Sequence, residues 1–170
     1  KGFYAMKNFI KEGVSEKEVS AELEHAMKKE GADSQGFDTI IGGGVNSADL
    51  HHTPDDYKLK KGDAVLCDYG VYAGLITSDI TRTFIIGEPD ERTKEIYKTV
   101  LEANKKVIEM IKPGIKWIEL NDLAKDYIKS KGFDKYTNDK GEEIDYFNHS
   151  IGHGLGIEAH DPLLMGRIQF

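Results

Sequence analysis

The chain has 170 residues, 39% of them hydrophobic and 31% charged, with a formal net charge of -7. That length suits one domain or a large part of one. The acidic balance argues against a nucleic-acid partner, and no apolar run approaches the roughly 18–20 residues that span a bilayer. A single cysteine, Cys67, excludes an intrachain disulfide, and the start KGFYAMKNFI lacks the apolar core of a signal peptide, so a cytoplasmic location is expected. The chain starts at Lys1 without an initiator Met and ends LLMGRIQF without a polar tail, which leads us to expect a piece of a longer protein.

In chain order, residues 1–11 read as a helix. SEKE then forms a capping box, with Ser15 and Glu18 satisfying each other's amides. Val19, Leu23, Ala26 and Met27 follow at helical spacing up to Gly31. FDTIIGGG reads as a strand running into a glycine turn. DAVLCDYGVYAG and LITSDITRTFII, rich in β-branched and aromatic residues, predict an antiparallel hairpin with its turn near Gly74. Asp90 is a candidate N-cap for a long helix over 91–112, with the stripe Ile96, Val100, Leu101, Asn104, Val107, Ile108 and Ile111, stopped by KPG. A further helix is expected over about 117–131, ending at Gly132. TNDKGEE reads as a polar loop, and SIGHGLGIEAHD as a closing strand and turn.

The chain repeats itself. At an offset of 101, residues 10–31 lie over 111–132 with identities Ile10/Ile111, Lys11/Lys112, Gly13/Gly114, Glu18/Glu119, Lys28/Lys129 and Gly31/Gly132. Farther on, FDTIIGGGVNSADLHH lies over FNHSIGHGLGIEAHD at an offset near 110, the extra length being the polar loop. His153 then falls on Gly43, and with one residue of slip His160 falls on His51. Each half reads as a helix pair followed by a strand with a histidine beyond it, and such halves commonly meet at a pseudo-two-fold axis.

The chemistry-bearing residues cluster in three places. Asp68 and Asp79 are placed on the two strands of the expected hairpin, where facing positions have Cβ atoms about 4.5–5.5 Å apart. Either could face solvent at a strand end. An aspartate inside AVLCDYG is otherwise costly without a partner, and two close carboxylates repel unless a proton or cation lies between them. A pair of divalent ions about 3.5–4 Å apart would serve. His153, between Gly152 and Gly154, could add an imidazole nitrogen, favouring Mn, Fe, Co or Zn over Mg. Equally, it could be a hydrogen-bonded histidine in a glycine-rich turn. His51 and His160 are candidates for acid–base work or for stabilising an oxyanion. On a strand His52 would point away from the side that His51 lines. Glu158 and Asp161 are candidate supporting carboxylates, and Arg82 a carboxylate partner.

CDYGVYAGLITSDITRTF and IGHGLGIEAHDP together resemble the pita-bread metallopeptidases, the fold shared by methionine aminopeptidase, aminopeptidase P and prolidase. The resemblance covers nearly the whole chain. It implies an α+β pita-bread fold, a pseudo-two-fold antiparallel sheet with outer helix pairs, here a single partial catalytic domain over 1–170 that lacks the family's N-terminal domain and final strands. SDITRTF is similar to the aminopeptidase P and prolidase branch, which cleaves the bond preceding proline, rather than to methionine aminopeptidase. The resemblance makes Asp68 a terminal metal ligand, Asp79 the carboxylate bridging two metals and His153 the sole imidazole ligand. His160 and His51 become the pair that contacts the substrate, and a metal-bridging hydroxide the nucleophile. It implies two divalent ions, with Mn or Co favoured and Zn or Fe as alternatives. The implied partner is a peptide with proline at its second position; a homodimer is possible.

The family's last two ligands, both glutamates, fall after HDP, and neither motif occurs before Phe170. Two divalent ions bring four positive charges against two negative ones from Asp68 and Asp79. The isolated chain is therefore expected to bind metal weakly and to be inactive. A competing expectation is a non-catalytic pita-bread module that binds peptide, which has no chemical need for Asp68, Asp79 and His153 together.

Overall fold

The computed structural model describes residues 1–138 and 140–161, which fall into two compact units, 1–90 with 155–161 and 91–154. In the first unit, helix α1 (Gly2–Phe9) is followed by α2 (Glu16–Lys29). The capping box is present: Ser15 Oγ accepts from the Glu18 amide, and Glu18 Oε2 accepts from the Ser15 amide at 2.7 Å. Lys58 Nζ donates to the same carboxylate, and these bonds hold Glu18 down at a pKa of about 2, well below the usual carboxylate range. The positions spaced three and four apart on α2, namely Glu16, Val19, Leu23 and Met27, form its buried face.

Short strand β1 (Ser34–Gln35) precedes β2 (Ile40–Gly43), which runs into a 3-10 turn over Gly44–Ala48. Then come β3 (Ala64–Tyr69), β4 (Val71–Ala73), β5 (Ile76–Thr77) and β6 (Ile80–Ile85). The antiparallel sheets have the orders β1-β4-β5 and β2-β3-β6. Burial alternates along β3, as a period of two requires. Val65, Cys67 and Tyr69 enter a core with Met6, Val19, Leu23, Ile41 and Leu59, while Asp68 lies on the other face, half-buried. Asp68 therefore escapes the desolvation that a core position would impose. Cys67 is a core residue whose thiol is pushed by burial up to about 12.

The expected hairpin is one hairpin with an interruption. Tyr69 pairs with Ile80, and beyond the gap Tyr72 pairs with Thr77 in the same register. Gly74 and Leu75 turn the chain with φ of 56 and 74, the two positive values that a type I′ hairpin turn needs. The gap falls at Gly70, where an added Cβ would lie 1.9 Å from the Ser78 carbonyl oxygen, so only glycine fits. Asp79 lies in that gap, outside both strands, which corrects its expected place within the return strand.

The second unit holds α3 (Glu91–Met110), α4 (Trp117–Ser130) and a hairpin of β7 (Lys135–Thr137) and β8 (Glu143–Asp145). The polar loop joins these two strands. The repeat holds at the level of elements. α4 spans the positions of α2 displaced by 101, and α1 and α3 end at equivalent residues, Phe9 and Met110. Gly13 and Gly114 share a positive φ, as do Gly31 and Gly132. Buried Leu120, Ala124 and Ile128 repeat Val19, Leu23 and Met27.

Two expectations fail here. The buried face of α3 is Thr99, Ala103 and Val107, whereas Ile96, Val100, Leu101, Ile108 and Ile111 are exposed. Of the expected stripe only Val107 is buried, and Thr99 and Ala103 complete the contact face. The closing stretch is no strand: among the described residues, 146–161 carry no β-structure.

Candidate metal centre

The hairpin positions the two aspartates. Asp68 faces Thr81 across the ladder, and the Thr81 hydroxyl donates to Asp68 Oδ1 at 2.8 Å. Asp79 is two residues before Thr81, in the break between β5 and β6 of the same hairpin. The Thr81 hydroxyl fixes the orientation of the Asp68 carboxylate. Arg82 faces Cys67 in the same register, so it leaves the sheet on the side opposite Asp68, and its guanidinium donates to the Thr81 carbonyl.

His160 reaches this hairpin through its segment. Thr77, buried on β5 two residues before Asp79, donates both its amide and its hydroxyl to the Gly156 carbonyl, each at 2.9 Å. The outward edge of β5 is thereby occupied by the segment 155–161, on which His160 is exposed and Asp161 half-buried.

His51 belongs to the first unit as well. It lies in a turn after the 3-10 segment, not beyond a strand, and its amide donates to Asp49 Oδ1 at 3.0 Å. Its ring is exposed. His52 turns inward, and its Nε2 lies 2.6 Å from Glu16 Oε2. Of the two, His52 is half-buried and His51 exposed, and neither is on a strand. His153 belongs to the second unit, half-buried, with Nδ1 3.0 Å from the Gly154 carbonyl oxygen. Beside it, Trp117 of α4 donates from Nε1 to Ser150 Oγ at 3.3 Å and covers Gly152. Asp68 and Asp79 thus lie on one hairpin, which the His160 segment meets through Gly156, whereas His51 and His153 stand on loops of their own.

Glu16 escaped the reading of the sequence. It is fully buried, and its carboxylate accepts from the Gly43 amide, Asn46 Nδ2 and the Asp55 amide in addition to His52. The available signal was its spacing: Glu16 lies three and seven residues before Val19 and Leu23, on the apolar face of α2.

A model of metallopeptidase family M24 matches residues 1–169. A Xaa-Pro dipeptidase of Pyrococcus horikoshii is 45% identical over 152 residues, covering 89% of this chain and 40% of that protein. The prolidase of Pyrococcus furiosus is similar in structure, with a TM-score of 0.86 and 41% identity over 96% of this chain and 45% of that one. An X-Pro aminopeptidase of Thermotoga maritima gives a TM-score of 0.84 and 34% identity over 96% of this chain and 44% of that one. The chain spans about two-fifths of the length of the curated relatives that it matches. Its fold is the pita-bread fold of the prolidases and aminopeptidases that it resembles. A match to a metallopeptidase family implies divalent metal ions as cofactor. This chain belongs to metallopeptidase family M24.

Proposed function

We propose that the protein hydrolyses the bond between an N-terminal residue and a following proline, in Xaa-Pro dipeptides or longer peptides. The observation that supports this best is the presence of Asp68 and Asp79 on one hairpin, in a chain whose relatives are named for Xaa-Pro substrates. In this reading the two units are parts of one catalytic domain, and the protein works in the cytoplasm, where a buried free Cys67 is at home.

Asp68, Asp79 and His153 would hold the metal, with Mn or Co favoured over Zn or Fe. Two divalent ions supply a hydroxide nucleophile near neutral pH when bound. The chain's own residues do the rest. Thr81 orients Asp68. Thr77 docks the segment that carries His160. In this reading His160 and His51, both exposed, hold the peptide and hand over protons at the scissile bond. With two aspartates as its only anionic ligands, the 170-residue chain alone is expected to bind metal weakly and to lack turnover.

The test uses the full-length protein loaded with Mn or Co, assayed on Xaa-Pro dipeptides and on longer Xaa-Pro peptides. Asp79→Asn is expected to lose bound metal, measured by elemental analysis, and to lower kcat/KM by at least about a hundredfold. Full metal occupancy without proline-directed hydrolysis overturns the reading, and full activity in Asp79→Asn overturns the ligand assignment.

A further inference from the structure

Glu16, His52 and Asp55 bring donor atoms within 4.8 Å of one another, the spacing of a metal site. The hydrogen bonds assign the cluster differently. Glu16 Oε1 accepts from the Gly43 amide at 2.7 Å and from Asn46 Nδ2 at 3.0 Å. Oε2 accepts from the Asp55 amide at 3.0 Å and from His52 Nε2 at 2.6 Å. A carboxylate has about four lone-pair sites, so both oxygens are saturated without a cation. The charge lies in the first turn of α2, where the helix dipole favours an anion.

What the four bonds share is the loop that they hold. Their donors sit at residues 43, 46, 52 and 55, on both sides of His51. Among the described residues His51 itself is tied through its amide to Asp49, and its ring is exposed. The backbone around the histidine is fixed while the ring stays open to a ligand.

We propose that Glu16, through its four bonds to the loop and with His52 as one donor, is the positioning residue for His51, which rests on the reading of His51 as a substrate-contacting group. Small misplacements of such a group cost about a hundredfold in rate when its contact is made in the transition state. Glu16→Gln keeps the shape of the side chain but replaces one acceptor oxygen by a donor that opposes the Asp55 amide or the Gly43 amide. His52→Gln is the milder variant, because its amide can still donate to Glu16.

The experiment compares wild type, Glu16→Gln, His52→Gln, His51→Ala and the double variant Glu16→Gln/His51→Ala in the metal-loaded full-length protein. Amide hydrogen exchange, well below the melting temperature, is expected to quicken across residues 43–55 in Glu16→Gln and, less so, in His52→Gln. In both variants kcat is expected to fall, about tenfold or more for Glu16→Gln, with KM changed less than about threefold. In the His51→Ala background, Glu16→Gln is expected to add almost nothing, the non-additivity of residues acting through one group. Unchanged exchange in 43–55, unchanged kcat, or losses that multiply in the double variant overturn the proposal and leave Glu16 a core residue alone. If Glu16→Gln does not fold, His52→Gln carries the same three readouts. Wild-type protein inactive on Xaa-Pro peptides defeats the functional reading instead, and the exchange result still decides whether Glu16 holds the loop.

Discussion

The two halves of the repeat put different chemistry at one position. Residue 16 opens α2 and residue 117 opens α4, an offset of 101. In the first half that position is a buried carboxylate that gathers the loop around His51. In the second it is the chain's one tryptophan, which donates to Ser150 and covers Gly152, just before His153. Each half thus uses the first residue of its second helix to hold the following histidine-bearing loop, once by charge and once by ring contact. A duplicated backbone preserves where a side chain can reach, and leaves open which force it uses.

The sharpest way to break this comparison is to truncate both residues. Glu16→Ala orphans four donors, three of them on buried or half-buried residues, and breaking such a network costs about 3–5 kcal/mol. Trp117→Ala loses one long hydrogen bond and the cover over Gly152, at a cost of about 1–3 kcal/mol, below a fully buried tryptophan's. Denaturant unfolding of the full-length protein, followed by circular dichroism, checks the order. Equal losses would show that position 16 gains nothing from its charge.

A second comparison lies about two turns farther along. Leu23 and Ala124 occupy equivalent buried positions on α2 and α4. Leu23→Ala leaves a cavity among Met6, Val19 and Ile41 and is expected to cost about 2–5 kcal/mol. Ala124→Leu overfills the core around Val107, Ile115 and Leu120 and is expected to cost about 1–3 kcal/mol. Unfolding midpoints of the two variants decide this. A stabilising Ala124→Leu would mean that the second core is loosely packed.

Much of this was legible in the sequence because the signals are local. The capping box at Ser15, the period of α2 and the turn at Gly74 each act within a few residues, and the repeat fixed the ends of α4. Asp79 was misplaced because its position depends on a gap opposite Gly70, and that gap comes from a close approach to the Ser78 carbonyl. The turn itself needs Leu75 at a positive φ, a strained choice that composition does not announce. The face of α3 was misread because helical period alone cannot tell a stripe that packs from one that stays exposed. Loops 44–55 and 146–161 carry no periodicity, so the surroundings of His51, His153 and His160 had to come from structure.

The smallest effect concerns the caps. Glu18 takes bonds from Lys58, from the Ser15 amide and from the Ser15 hydroxyl, whereas at the equivalent cap the Lys116 amide donates to Glu119 and the cap residue is a lysine. The bonds of Glu18 favour its ionised form, so its pKa falls to about 2 in the folded chain. In the unfolded chain it titrates near the ordinary value of about 4.3. A group with a depressed folded pKa stabilises the fold above the unfolded value, and that contribution fades as pH drops from about 4.3 towards 2. Glu18 is solvent-exposed, so screening keeps the contribution small. Glu18→Gln is expected to leave the fold intact, lower stability slightly at pH 7 and flatten its dependence on pH below about 4.3. Thermal unfolding of both proteins between pH 7 and pH 2.5 tests this, and parallel curves would mean that Lys58 and Ser15 hold Glu18 no more firmly in the folded chain than water does in the unfolded one.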